Sequence, residues 1–136
     1  MAQKQSHVVI IGGGVMGGDI ATVFASGGWK VDVMSPSAKT RDALPGRVQA
    51  GLEKLAAQPS FIGNVATHEK LGSIRWDTVD MVVEAATEDL ALKQRLFAEV
   101  ESLAGSGVPI LSNTSNFPIG EIGRNLKHRE RVLGPH

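Results

Sequence analysis

Three consecutive glycines, Gly12 to Gly14, end an apolar run near the start of the chain and constrain its fold more than any other feature. The run before them, His7–Ile11, is rich in β-branched residues and is typical of a strand buried on both faces. After the glycines, Met16, Ile20, Val23 and Phe24 recur at helical spacing, and Gly27-Gly28 ends this pattern. A second strand-like run, Lys30–Met34, follows. Strand, glycine turn, helix and strand in one short segment predict a βαβ unit with a right-handed crossover.

Helical and strand patterns alternate along the rest of the 136 residues. One apolar stripe predicts a second helix through Leu44, Val48, Leu52 and Leu55, whereas residues 59–72 look irregular. A third helix is predicted over 88–103 and a short one at Pro118, and the candidate strands are 73–76, 80–84, 109–112 and 131–133. No repeat or linker divides the sequence. We therefore predict one α/β domain over residues 1–136, with a Rossmann-type doubly wound parallel sheet.

The glycine turn matches the pattern G-x-G-x-x-G as Gly12-Gly-Gly14-Val-Met-Gly17, between a strand and a helix. In such a loop the first glycine makes the tight turn, the second lets a pyrophosphate approach the backbone, and the third lets helix and strand pack closely. The free N–H groups and the dipole at the helix start attract the phosphates. We predict that the dinucleotide is bound by Gly12, Gly14, Val15, Met16 and Gly17.

The end of the second predicted strand departs from the usual NAD pattern. An Asp or Glu commonly stands there and bonds the adenine ribose, but this chain has Ser35, and Asp32 lies within the strand. Ser35 with the downstream Lys39 and Arg41 is instead compatible with the 2′-phosphate of NADP. The residues alone leave both cofactors open.

Composition narrows the class of protein further. Fourteen basic and fourteen acidic side chains balance, so no basic excess favours nucleic acid or an anionic membrane. The chain has no cysteine, its four histidines are widely spaced, and we predict no metal site. No apolar run is long enough to span a bilayer, and the polar first residues do not resemble a signal peptide. We expect a cytoplasmic protein that binds small molecules.

Five blocks of the sequence resemble the N-terminal NAD-binding domain of the L-3-hydroxyacyl-CoA dehydrogenase family. They follow the family's order: Ile10-Ile-Gly-Gly-Gly-Val-Met-Gly17, Val83-Glu-Ala85, Glu88-Asp-Leu-Ala-Leu-Lys-Gln94, Leu111-Ser-Asn-Thr-Ser115 and Gly134-Pro-His136. The resemblance favours NAD over NADP. It also implies an oxidoreductase of fatty acid metabolism that transfers a hydride between a 3-hydroxyacyl-CoA and the cofactor.

The resemblance implies roles for four further residues. Glu88 and Lys93 match positions that contact the cofactor, and Ser115 matches a serine that touches both the nicotinamide and the substrate hydroxyl. His136 matches the catalytic base. Imidazole titrates near neutrality, which suits a group that removes the hydroxyl proton as hydride leaves.

The chain also departs from the family. Gly51 and Gln58 stand where the family offers CoA a serine and a lysine, and Asp19 follows the glycine loop in place of a small residue. The helical substrate and dimerisation domain of the family, with further catalytic groups, would follow residue 136. We therefore expect this chain alone to be inactive and the full-length protein to be a homodimer. A dehydrogenase of free 3-hydroxy acids, of the carnitine type, and a non-catalytic dinucleotide-binding module are the alternatives.

Overall fold

The structure, a computed structural model, describes residues 5–86, 89–112 and 132–133. Three helices are present: α1 (Val15–Ser26), α2 (Ala38–Lys54) and α3 (Leu90–Leu103). The strands are β1 (His7–Ile11), β2 (Lys30–Met34), β3 (Val65–His68), β4 (Met81–Glu84), β5 (Ile110–Ser112) and β6 (Val132–Leu133). In the described part of the chain, no helix is long and apolar enough to cross a membrane.

The six described strands form one parallel sheet in the order β3-β2-β1-β4-β5-β6. The chain moves outward from β1 to β3, returns to the middle, and then continues outward from β4. This reversal between β1 and β4 opens a crevice at the carboxyl ends of the strands, where open α/β sheets bind their ligands. The predicted Rossmann-type doubly wound sheet is confirmed.

Both faces of the sheet are covered, because successive residues of a strand point to opposite sides. Val8 and Ile10 of β1 pack with the buried residues of α1 and α2, such as Ala21 and Leu44. Their neighbours in β1 pack on the other face with α3 and the segment before β4, in a cluster of Val9, Ile11, Met34, Leu71, Ile74, Val79, Val82, Phe97, Val100 and Ile110. This double burial explains why β1 is apolar from Val8 to Ile11.

The third strand is Val65–His68, in the stretch that the sequence suggested was irregular, and the predicted strand at 73–76 is wrong. Two 3₁₀ turns, Leu71–Ser73 and Trp76–Thr78, occupy that region instead. β3 is an edge strand with no fully buried residue, so its sequence carries no apolar run.

Half of the apolar stripe predicted for α1 packs against the core, because Ile20 and Phe24 are partly buried there, whereas Met16 and Val23 are exposed. The fully buried residues of the helix are small: Gly17, Gly18, Ala21, Thr22 and Ala25. Small side chains let α1 lie close to both β1 and α2, and this close packing takes precedence over the apolar pattern. On α2, Leu44, Val48 and Leu52 are buried as predicted, and Leu55 lies beyond the helix end and is exposed.

A cluster of polar side chains lies buried across β1, β2 and β3. The Asp32 carboxylate contacts His7 Nε2 at 2.5 Å and His68 Nε2 at 2.7 Å. Because an ionised carboxylate only accepts hydrogen bonds, both imidazoles donate from Nε2. The Nδ1 atoms face hydroxyl groups, that of Thr78 at 2.9 Å from His7 and that of Ser73 at 2.9 Å from His68. The carboxylate is thus fully engaged inside the sheet.

We predict that Asp32→Asn destabilises the fold by about 2 to 4 kcal/mol, because an amide offers one acceptor oxygen to two imidazole donors, of which that of His7 is fully buried. Urea unfolding followed by circular dichroism measures this change. The matched control is Asp77→Asn, which removes an exposed carboxylate paired with Arg75 at 3.1 Å and should cost less than about 1 kcal/mol. Equal losses in the two variants would contradict a structural role for the buried cluster.

Candidate functional site

The turn after β1 passes through a narrow gap between the ends of β2 and β4. Gly12 has a φ of +105°, and its N–H donates to the Met34 carbonyl oxygen at 2.8 Å. A Cβ atom at Gly12 would lie 2.6 Å from the Ala85 carbonyl oxygen. Both the backbone conformation and the space therefore require glycine here.

The other two glycines of the pattern differ in what surrounds them. A Cβ atom at Gly17 would lie 1.8 Å from the Gly12 carbonyl oxygen, so α1 could not sit this close to the turn with any other residue. Gly14 has an extended backbone, with φ −70° and ψ −160°, and a Cβ atom there would meet nothing within 4 Å. Gly17 is thus required by packing, whereas Gly14 leaves open space beside the backbone.

That open space belongs to a cavity of about 520 Å³ at the carboxyl ends of β1, β2 and β4. Its size is in the usual range for a small-molecule site. Gly14 is the N-cap of α1, and no side chain caps this helix end among the described residues. The first-turn N–H groups thus have no helical partner and favour an anion. The cavity is lined by Ile11, Gly12, Gly13, Gly14, Val15, Met16, Met34, Ser35, Pro36, Ser37, Thr40, Ala85, Ala86, Leu92 and Leu96.

A second cavity of about 180 Å³ adjoins the first on the side of α2. Gly13, Gly14 and Thr40 line both cavities, and Ala43 completes the inner wall. The two remaining lining residues, Lys39 and Arg47, are cationic. Positive charge therefore lies beside the glycine loop, from Lys39 in the first turn of α2 and Arg47 in its middle.

Ser35 lies at the end of β2 and is only 5% exposed. Its N–H donates to the His68 carbonyl oxygen at 2.9 Å, and its carbonyl oxygen accepts from Arg41 Nη1 at 2.7 Å. The Ser35 side chain lines the large cavity, and among the described residues its hydroxyl has no hydrogen-bond partner. Arg41 thus bonds the backbone at this strand end. Of the two cations that the sequence suggested, only Lys39 lines the smaller cavity, and the other cation there is Arg47.

The site contains a buried ion pair that the sequence did not indicate. Lys93 Nζ lies 2.6 Å from Glu84 Oε2, and both side chains are fully buried. Glu84 also accepts hydrogen bonds from the Ala86 N–H at 2.6 Å and from the Ser112 hydroxyl at 2.7 Å. The pair therefore joins α3 to the ends of β4 and β5 and holds the cavity wall at Ala86.

The structure brings together Gly12, Gly14, Val15, Met16 and Ser35 around one cavity. Gly17 supports the loop from behind, and Lys93 lies in the ion pair with Glu84. The contacts of all these residues with a cofactor stay predictions. Glu88, Ser115 and His136 lie outside the described residues.

Three of the structure's site residues had no role in the sequence analysis: Glu84, Thr40 and Arg47. Glu84 did carry a signal, because an acid in a strand buried on both faces needs a partner. Thr40 and Arg47 carried none, since a polar residue on an amphipathic helix is normally solvated. Asp19, which follows the loop, lines a groove between α1 and α2 rather than the cavity.

We predict that Lys93→Met destabilises the chain by about 3 to 5 kcal/mol, because it leaves the Glu84 carboxylate buried without its cation. The double variant Glu84→Gln/Lys93→Met should recover part of this loss, as the uncompensated charge is then gone. Lys54→Met removes an exposed lysine and should change the unfolding free energy by about 0.5 kcal/mol or less. A Lys93→Met variant as stable as this control in urea would exclude a buried ion pair.

Comparison with known proteins identifies relatives of this architecture. Residues 7–136 match the family model described as 3-hydroxyacyl-CoA dehydrogenase, NAD binding domain. The peroxisomal fatty acid beta-oxidation multifunctional protein MFP2 of Arabidopsis thaliana is 34% identical, over 98% of this chain and 19% of its own length. A 3-hydroxybutyryl-CoA dehydrogenase of Mycobacterium tuberculosis is 32% identical, over 100% of this chain and 50% of its own length.

A solved structure agrees with these matches. The crystal structure of 3-hydroxybutyryl-CoA dehydrogenase from Escherichia coli K12 superposes with a TM-score of 0.86 at 30% identity, covering 98% of this chain and 30% of that one. The chain thus spans half or less of the length of these relatives. With its sheet order, its glycine loop and these matches, the chain belongs to the 3-hydroxyacyl-CoA dehydrogenase family and corresponds to its NAD-binding domain.

Proposed function

We propose that this chain is the cofactor-binding part of a dehydrogenase that transfers a hydride between a 3-hydroxyacyl-CoA and NAD. The observation that carries the proposal is the open space at Gly14, beside an uncapped helix N-terminus and at the edge of the large cavity. A dinucleotide needs such a place, where its pyrophosphate can approach the backbone without meeting a side chain. The family of the chain and the names of its relatives support the reaction and the substrate class.

The residues around the cavity have distinct parts in this proposal. The N–H groups of Val15 and Met16 hold the pyrophosphate, since they open α1 and have no helical acceptor. Ser35 faces the adenine ribose from the end of β2. The apolar residues Leu92 and Leu96 line the opposite wall, where they exclude water from the bound cofactor.

The bound NAD supplies the hydride acceptor for oxidation of a secondary alcohol. In the proposed reaction His136 removes the hydroxyl proton, and Ser115 holds the hydroxyl oxygen. Both assignments rest on the family resemblance, as do the contact of Glu88 with the cofactor and the homodimeric state of the full-length protein. The cytoplasmic location also stays a prediction. One relative, MFP2 of Arabidopsis thaliana, is named as a peroxisomal protein.

One observation favours a free 3-hydroxy acid as a second candidate substrate. A Cβ atom at Gly51 would lie 2.5 Å from Thr22 Cγ2, so α1 and α2 cross closely at this glycine. The serine that the family offers to CoA at this position does not fit that crossing. An assay of the full-length protein separates the two candidates. Acetoacetyl-CoA and acetoacetate are each supplied with NADH, and the rate of NADH oxidation is compared. Turnover of the free acid alone would exclude the CoA ester.

We predict that Gly14→Ala weakens NADH binding by about tenfold or more, because a methyl group then occupies the space through which the pyrophosphate approaches. The extended backbone at Gly14 accepts alanine, so the unfolding free energy should change by about 1 kcal/mol or less. A fluorescence titration with NADH measures the affinity. In the control Gly46→Ala, the added Cβ also meets nothing within 4 Å, and NADH affinity should not change. Unaltered NADH binding by Gly14→Ala would contradict the proposed phosphate position.

We also predict that the isolated chain binds NADH but reduces acetoacetyl-CoA at no appreciable rate. The reason is that the chain spans half or less of the length of the dehydrogenases that it resembles. A continuous assay at high enzyme concentration, in which the loss of NADH is followed by its absorbance, tests this directly. Robust turnover by the isolated chain would refute the prediction.

A further inference from the structure

The adenosine end of the cavity has no carboxylate among the described residues. An Asp or Glu at the end of the second strand normally accepts hydrogen bonds from the ribose hydroxyls of NAD, and its charge opposes a 2′-phosphate. Here Ser35 occupies that strand end, and none of the described residues that line the two cavities is acidic. The usual electrostatic barrier to NADP is therefore missing from these walls.

Asp32 cannot take over the part of that carboxylate. It is only 3% exposed, and its two oxygens are engaged by His7 at 2.5 Å and His68 at 2.7 Å. It points to the face of the sheet that carries α3, because its neighbours Val31 and Val33 pack with α2. The nearest acid in the sequence is thus withdrawn from the cavity by its own hydrogen bonds.

The Ser35 hydroxyl is a polar group that lines the large cavity. The residue is 5% exposed and lines the large cavity, and the described residues offer its hydroxyl no partner. No buried side-chain nitrogen or oxygen of the described residues lacks a partner, so this hydroxyl is open to the cavity and can bond a molecule bound there. A hydroxyl serves a ribose or a phosphate equally well, because it can both donate and accept.

Positive charge completes the same corner. Lys39 and Arg47 line the smaller cavity, which meets the larger one at Gly13, Gly14 and Thr40. Arg41 is held at the same strand end by its 2.7 Å hydrogen bond to the Ser35 carbonyl oxygen. The start of α2 adds the favourable end of a helix dipole, and its first turn contains no acidic residue. Two cations thus line the smaller cavity, Arg41 lies at the strand end, and the Ser35 hydroxyl lines the adjoining larger cavity.

We propose that this corner accepts the 2′-phosphate of NADP(H), with Ser35, Lys39 and Arg47 as its ligands. The chain then binds NADP(H) with an affinity within about tenfold of that for NAD(H). This inference rests on the proposed function, since it requires a nicotinamide dinucleotide in the large cavity. The inference adds to the proposed function the choice between NAD and NADP, which Ser35 influences because it stands where a carboxylate is usual.

Side-by-side titration of the chain with NADH and NADPH is the primary test, with Kd taken from fluorescence and from calorimetry. Adenosine 2′,5′-bisphosphate and AMP, used as competitors of NADH, isolate the effect of the 2′-phosphate. We expect NADPH to bind within about tenfold of NADH, and the bisphosphate to compete at least as well as AMP, with an advantage that falls as salt rises. A larger penalty for NADPH, with NADH still bound, overturns this inference alone. Failure of both nucleotides to bind overturns the proposed function as well.

Variants assign the effect to residues. Ser35→Asp should weaken NADPH binding by about 30-fold or more relative to NADH binding, because it restores a carboxylate facing the ribose. Lys39→Gln and Arg47→Gln should each weaken NADPH by about 3- to 10-fold and leave NADH within about twofold. Lys54→Gln removes the same charge from the far end of α2 and should affect neither nucleotide. Equal losses for NADH and NADPH in the Lys39 and Arg47 variants would overturn their assignment as ligands of the 2′-phosphate.

Discussion

The close approach of Gly12 to the ends of β2 and β4 is the contact on which the rest of the site depends. Its N–H bonds the Met34 carbonyl oxygen at 2.8 Å, and a Cβ atom would lie 2.6 Å from the Ala85 carbonyl oxygen. Gly17 then lies against the Gly12 carbonyl oxygen, which brings the start of α1 over the crevice between β1 and β4. Because Gly14 at the helix start has no side chain and no side chain caps this end, the first N–H groups of α1 open directly onto the cavity.

Two buried charge clusters stabilise the frame around that turn, both on the face of the sheet that carries α3. Glu84 and Lys93 form an ion pair that also fixes the Ala86 N–H and the Ser112 hydroxyl, so the cavity wall at the end of β4 is held by a satisfied network. Asp32 is bound by two histidines in the neighbouring strands. Since this cluster withdraws the one acid of β2, the polar chemistry at the end of that strand falls to Ser35.

Much of the fold was predictable because double burial makes parallel strands apolar along their length. The apolar runs of β1, β2 and β4 therefore allowed these strands to be predicted from the sequence, and the glycine loop between β1 and α1 indicated the cofactor site. β3 escaped prediction because an edge strand buries too little to need an apolar run. The stripe predicted for α1 was wrong at Met16 and Val23, because the helix packs mainly through glycine and alanine, whose small side chains give no hydrophobic pattern.

The sequence by itself determined the fold class, the βαβ unit and the loop of Gly12, Gly14 and Gly17, because these depend on local spacing and on residues with unusual backbone freedom. Only the tertiary structure decided which charges are neutralised and which face the cavity. Lys93 looked like a surface or cofactor-binding cation and is the buried partner of Glu84, whereas Arg47 had no predicted role and lies beside the glycine loop. Such pairings join residues far apart in the chain, and no local pattern encodes them.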